Sequence, residues 1–319
     1  MTCTRSLYFL VQWVRGAEIS WMRSFDVRHA ILGAGGVGGV IGSILANAGE
    51  DVTLVVRPGT AANYPRQFSL ESQFGKASGV VNIAESLSAP VDVLWITVKA
   101  TQLDSAVAGL PPPPQVKAIL PLLNGTEHVG LLRERFGHDR VIAATIAGEM
   151  ERTDPGRYVH RSPFLRLNVA SDGRAVLEGV IDKFKNFGLE CKYVDNEQTL
   201  LWGKMVFLAP FALSTSAAAQ PIGGVLSDPE RHRRLDDCIR ETAEAGRANG
   251  AELDADATIK MMGGAPAEMR SSMQKDVEAG RPPELDAIAG PILRTAKAHG
   301  FHTNATQQLV DEIKRRLKN

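Results

Sequence analysis

Short apolar runs dense in β-branched residues recur through the first 195 positions, separated by polar and glycine-rich stretches. Val27–Leu32, Val52–Val56, Val91–Val98 and Val116–Leu123 are four of them, continuous enough to predict strands buried on both faces. Val141–Ile146 predicts another, with shorter strands near Tyr158 and Leu165. Val40–Ala48 predicts a helix ending at Gly49, where a glycine C-cap is expected. The four prolines Pro111–Pro114 exclude helix ahead of the fourth strand. Strands alternating with helices predict βαβ units and a parallel sheet covered on both faces.

Beyond about Asp195 the period changes. Leu200–Ala219 is long, apolar and free of strand punctuation. Glu230–Ala248 puts Leu235, Cys238, Ile239 and Ala243 on one helical side and stops at Asn249-Gly250. Leu285–Ala298 and Thr306–Leu317 predict two more helices; in the second, Leu309, Ile313 and Leu317 repeat at i, i+4 and i+8. The expectation is an extension over residues 1–26, an α/β half over 27–195 and an all-helical half over 196–319.

Composition narrows the partners. The 319 residues are 44% hydrophobic and 23% charged, enough apolar material for a large core and too much for a disordered chain. Lys plus Arg equals Asp plus Glu, 36 against 36. That balance gives no electrostatic case for nucleic acid or an anionic membrane. No stretch reaches the roughly 20 apolar residues of a bilayer span. Leu7–Val14 resembles the apolar part of a secretory signal, but Gln12 interrupts it and Arg15 and Glu18 follow at once. The extension is therefore expected to be a disordered or docking segment, or to precede a natural start at Met22. Cys3, Cys191 and Cys238 lie far apart, which suits a cytoplasmic protein without disulfides. No histidine or carboxylate spacing predicts a metal. The apolar helical half leaves room for a homodimer face.

The candidate chemistry starts with the glycines. Gly33, Gly35 and Gly38 form G-x-G-x-x-G between the first strand and the first helix. One permits the tight turn, the second admits a pyrophosphate to the backbone, and the third lets helix pack on strand. The fold class this predicts is α/β, a Rossmann-type dinucleotide-binding domain followed by an all-helical domain. An NAD site places an acid at the end of the second strand for the ribose 2′-OH. Here the strand DVTLVV runs instead into Arg57, nineteen residues after Gly38. A guanidinium suits a 2′-phosphate, so NADP(H) is preferred over NAD(H); a solvent-exposed arginine of no special role is the alternative.

With these residues the chain resembles the ketopantoate reductase (2-dehydropantoate 2-reductase) family over nearly all of Ala30–Lys318. The resemblance rests on the glycine loop with Arg57, TVKATQ at 97–102, LLNG at 122–125, LWGKM at 201–205, SSMQKDVEAGRPPELD at 271–286 and HGFHT at 299–303. It implies hydride transfer from NADPH to the ketone of an α-keto acid, as in the step from 2-dehydropantoate to pantoate in pantothenate biosynthesis. By resemblance Lys204 is the general acid, Glu284 its acidic neighbour that orients substrate, and Ser272 a holder of the substrate carboxylate. Asn124 would face nicotinamide and substrate, and Lys99 and Gln102 would lie on the cofactor side. Arg57, Lys99 and Lys204 together predict a basic cleft in a chain of zero net charge.

The chain also departs from the family pattern. Four and eight residues beyond the lysine, where the family carries asparagines, stand Leu208 and Ala212, with Pro210 between them. Two amide donors for the substrate are absent, so the pocket is expected to be more apolar. Either the enzyme reduces a less polar ketone, or Asn124, Ser214, Thr215, Arg270 and Ser272 suffice for ketopantoate. A protein that binds NADP without turnover is a further alternative.

Overall fold

The structure is a computed structural model that describes residues 27–110 and 116–318. The predicted extension and the proline run therefore lie outside the described residues. In chain order the elements are β1 (Arg28–Leu32), α1 (Gly36–Asn47), β2 (Asp51–Val55), β3 (Gln67–Ser72), β4 (Gly75–Val80), β5 (Asn82–Ala84), β6 (Val93–Ile96), α2 (Leu103–Ala108), β7 (Ala118–Pro121) and α3 (His128–Phe136). There follow β8 (Ala144–Ala147), β9 (Met150–Asp154), β10 (Arg157–His160), β11 (Arg166–Ala170), α4 (Arg174–Phe187) and β12 (Glu190–Val194). The remaining elements are all helices: α5 (Glu197–Ala218), α6 (Ile222–Leu226), α7 (Pro229–Ala248), α8 (Ala255–Gly263), α9 (Ser272–Glu278), α10 (Leu285–His299) and α11 (Asn304–Arg316).

The four apolar runs form the heart of a five-stranded parallel sheet in the order β5-β2-β1-β6-β7. Ala30, Ile31, Val93, Trp95, Ile96, Ala118 and Ile119 are fully buried in it. Its order reverses between β1 and β6, and open α/β sheets bind ligands at the C-terminal ends of strands beside such a reversal. Both the glycine loop after β1 and the Thr97–Gln102 segment after β6 sit there.

The single covered sheet predicted for the first half becomes three. β4-β3-β10-β9 form a second sheet and β12-β11-β8 a third, each containing antiparallel pairs. The β3–β4 hairpin, closed between Ser72 and Gly75, escapes a hydrophobicity reading because polar residues fill its exposed face. Helix α1 lies against this second sheet as well as the first. A side chain at Gly39 would run into the Tyr158 ring, and one at Gly36 into the Met150 carbonyl.

The helical half is built round α5. Asn196 caps its start by accepting from Thr199 N at 2.9 Å, and Met205, Ala209 and Leu213 on it are fully buried. Among the described residues this helix alone is long and apolar enough to cross a membrane, yet 78% of its most apolar stretch is buried inside the protein. It is a core helix. Asp228 caps α7 through Glu230 N and Arg231 N, with Pro229 in the first turn where its missing N–H costs nothing. Bidentate pairs, Arg133 with Glu197 at 2.7 and 2.6 Å and Arg294 with Glu127 at 2.8 and 2.7 Å, tie the two halves together.

Candidate active site

The cleft between the halves is assembled from five places in the chain: the glycine loop, the loop after β6, the loop after β7, the first half of α5, and the segment leading into α10. The glycine loop comes first. Gly33 has φ +105°, a conformation open to glycine, and a Cβ there would lie 2.8 Å from Val98 Cγ1. Gly38 packs on the Gly33 carbonyl and Thr97, while nothing lies within 4 Å of the Cβ position of Gly35. Helix α1 has no side-chain cap and no acidic residue in its first turn. Its free N–H groups and the positive end of its dipole face that open space, as a phosphate requires.

Two residues that the sequence reading did not single out brace this loop. The Tyr64 hydroxyl donates to the Ala34 carbonyl at 2.9 Å, and Arg152 Nη1 donates to the same oxygen at 3.2 Å and to Tyr64 Oη at 2.9 Å. Both come from the second sheet and its approach, far from the motif in sequence. Arg57 stands at the end of β2, exposed, its own carbonyl accepting from Thr60 N and Thr60 Oγ1.

Glu284 links the two halves at the reacting end. Only 7% exposed, it accepts from Ala100 N at 2.7 Å through Oε1 and from Asn124 Nδ2 at 3.0 Å through Oε2. Asn124 is followed by Gly125, whose φ is +96° and whose Cβ position lies 2.6 Å from the Ala287 carbonyl of α10. Only glycine lets the β7 loop approach α10 so closely. Lys204, half-buried on α5, reaches the same loop, with Nζ 3.5 Å from the Leu123 carbonyl. Burial lowers its pKa to about 8, against a smaller upward pull from the Glu284 charge. Lys204, Glu284 and Asn124 are thus brought together from three separate stretches of sequence.

The other predicted residues are placed as follows. Lys99 does not present a free charge, because its Nζ lies 2.5 Å from Asp276 Oδ2 on α9, a carboxylate shared with Arg281 Nε at 2.9 Å. With Glu284 acting on Lys204 and Asp276 paired with Lys99, the cleft is close to charge balance there rather than basic throughout, and of the three predicted cations Arg57 is the most exposed. Gln102 is exposed and its carbonyl accepts from Ser105 Oγ. Ser272 is exposed in the first turn of α9, while its neighbour Ser271 is buried, caps that helix through Gln274 N and bonds Thr215 Oγ1 at 2.9 Å. Ser214 is buried, and Arg270 pairs with Glu278. Leu208 is partly buried against the helical core. Ala212 is 1% exposed inside that core, so it offers no surface to the cleft in this arrangement. Eight residues of helix turn a side chain roughly 80° away from the starting position, toward the core.

A hollow of about 440 Å³ lies elsewhere, between α7 and the start of α11. Charges of both signs line it, and Glu241 there caps α11 by accepting from Ala305 N and Thr306 N, so it is a seam between helices. Among the described residues no group of three or more His, Cys, Asp or Glu could hold a metal ion.

Comparison with known proteins covers both halves. The family profile described as Ketopantoate reductase PanE/ApbA matches residues 29–171, and the one described as Ketopantoate reductase PanE/ApbA C terminal matches residues 196–317. The 2-dehydropantoate 2-reductase of Caulobacter vibrioides is 30% identical over 295 residues, covering 88% of this chain and 96% of that one. The PanE/ApbA family ketopantoate reductase of Ralstonia eutropha JMP134 superposes with a TM-score of 0.80 at 24% identity, over 92% of this chain and 99% of the other. D-mandelate dehydrogenase with NADH and anilino(oxo)acetate also reaches 0.80, at 19% identity and the same coverage. These two structures show the shared fold.

Proposed function

The chain belongs to the ketopantoate reductase family, and from that premise we propose that it reduces an α-keto acid with NADPH, 2-dehydropantoate to pantoate being the reaction its relatives' names favour. Residues 27–195 are then the cofactor half and residues 196–319 the substrate half. The observation that carries the reading is the convergence of Lys204, Asn124 and Glu284 at one end of the cleft, with the open glycine loop at the other.

The cofactor fits the residues present. Gly35 leaves open space that a side chain would fill, Gly33 makes the positive-φ turn that precedes it, and the uncapped start of α1 supplies donors to the pyrophosphate. Arg57 would hold the 2′-phosphate, and Lys99 and Gln102 would border the nicotinamide side. When bound, NADPH supplies the hydride. Lys204 then donates a proton to the carbonyl oxygen and offsets its developing charge, and a pKa brought down to about 8 makes its ammonium a usable acid. Glu284 holds Asn124 and the Ala100 amide in place beside the substrate, and Ser272 faces the substrate carboxylate.

Leu208 favours a second reading, in which the substrate is a less polar 2-keto acid. An enzyme that lacks an amide at this position loses a donor to a polar substrate and gains apolar wall. Steady-state oxidation of NADPH against 2-dehydropantoate, pyruvate and an aryl 2-keto acid separates the cases. The highest kcat/KM with 2-dehydropantoate supports the first reading, preference for the aryl acid the second. Tight NADPH binding with no turnover of any of them would sink both.

Arg57→Ala should weaken NADPH binding by about 10- to 100-fold while leaving NADH within about 2-fold, since a charge-assisted bidentate contact contributes about 1.5–3 kcal/mol. Fluorescence titration with both nucleotides reads this directly. Equal loss for both would remove Arg57 from the 2′-phosphate site.

A further inference from the structure

The loop that delivers Asn124 runs LLNGTEH and ends on His128, which has no part in the proposed proton transfer. His128 opens α3, whose other buried residues, Val129, Leu132 and Phe136, are apolar. It is 6% exposed, yet neither Nδ1 nor Nε2 has a hydrogen-bond partner. A leucine or phenylalanine would fill the same space without burying two polar atoms unpaired, which is an unfavourable arrangement for packing alone. The ring lies near enough to Lys204 for that charge to act on it, and burial and this charge together press its pKa down to about 3. The imidazole is therefore neutral across the working range, with one nitrogen a permanent acceptor and the other a donor.

Lys204 has the complementary need. Its ammonium carries three donors, and the contact to the Leu123 carbonyl is long at 3.5 Å. Its stem is flexible, so the head can turn within the cleft. The charged group acting on Lys204 is Glu284, at the start of α10, and the charged group acting on His128 is Lys204 on α5.

We infer that His128 is a positioning residue for Lys204, its unprotonated ring nitrogen accepting a hydrogen bond from the lysine ammonium when Lys204 turns from the Leu123 carbonyl toward bound substrate. The imidazole gains and loses no proton in the reaction. It holds the ammonium charged and aimed while the proton passes from Nζ to the carbonyl oxygen. The inference rests on the reading of Lys204 as proton donor.

His128→Phe keeps the ring's bulk and removes both nitrogens; His128→Gln restores an acceptor. In NADPH-dependent reduction of the keto acid that the wild-type enzyme turns over best, H128F should lower kcat about tenfold or more, short of the roughly 10²–10⁴-fold ascribed to a whole general acid. KM for NADPH should stay within about 2-fold, since the ring acts on the lysine and not on the nucleotide. Loss of the acceptor disfavours the ammonium, so the high-pH limb of kcat should move to lower pH, and H128Q should return it toward the wild-type position. A limb and kcat unchanged in H128F would overturn the inference, whatever happens to the melting temperature. Should H128F not fold, ring-nitrogen NMR of His128 decides, with the wild type and Lys204→Met proteins each held in the non-reacting complex with NADP+ and the keto acid: the acceptor nitrogen should shift toward its free value in the variant, and identical spectra would overturn the inference. Lys204→Ala run alongside separates the two readings. Full activity in that variant defeats the proton-donor assignment; an inactive Lys204→Ala with an unmoved H128F limb defeats only the role of His128.

Discussion

Lys204→Ala should lower kcat for keto-acid reduction by about 10²–10⁴-fold, the range expected when a positioned general acid is removed. NADPH affinity should change little, because the lysine lies at the reacting end of the cleft and the glycine loop at the other. Burial is what makes this lysine an acid near neutral pH: its pKa falls to about 8 because the charged form is poorly solvated there. Reduction needs the ammonium. The wild-type kcat should therefore hold below pH 8 and decline as pH rises through about 8, while the reverse oxidation, which needs the free amine as base, should gain over the same interval. A pH profile of both directions checks the sign. Reduction undiminished in Lys204→Ala would exclude the mechanism.

Glu284→Gln carries the second large effect, and it separates charge from shape. Both oxygens of Glu284 accept, one from the Ala100 amide and one from Asn124. A glutamine offers one acceptor and one donor, so it can satisfy only one of these contacts and sets N–H against N–H at the other. Leaving a buried donor unpaired costs about 1–3 kcal/mol, and a similar loss of transition-state stabilisation is about 5- to 150-fold in kcat/KM. The same change removes the charge that opposes the burial effect on Lys204, so the high-pH limb of kcat should shift down in pH. Thermal unfolding and the pH profile together test this. A variant as stable and as active as wild type would show that Glu284 neither joins the two halves nor bears on the lysine.

The comparison of Lys99 with Lys204 shows how far residue identity carries. Both are expected positive charges of the cleft, and both occur in motifs that resemble the family's. Lys99 is paired with Asp276, a carboxylate 177 positions further along, whereas Lys204 has the long contact to a carbonyl and the pull of the Glu284 charge. A motif places a side chain on the chain but does not say which acid from another element will meet it.

The parallel sheet, the glycine turn after its first strand, the change to helix near residue 195 and the family were all present in the order of residues, because each is local. A strand buried on both faces must be apolar throughout, a tight phosphate turn must be glycine, and a buried helix must repeat its apolar positions. The second and third sheets were not legible, since their strands are short, half exposed and paired with partners distant in sequence. The same distance hid the bracing of the glycine loop by Tyr64 and Arg152, the link from Glu284 to Asn124, the turning of Ala212 into the core and the buried, unpartnered ring of His128 on which the Lys204 charge acts. Tertiary packing decided these, because burial, partnership and the shift of a pKa depend on what the folded chain brings within a few ångströms.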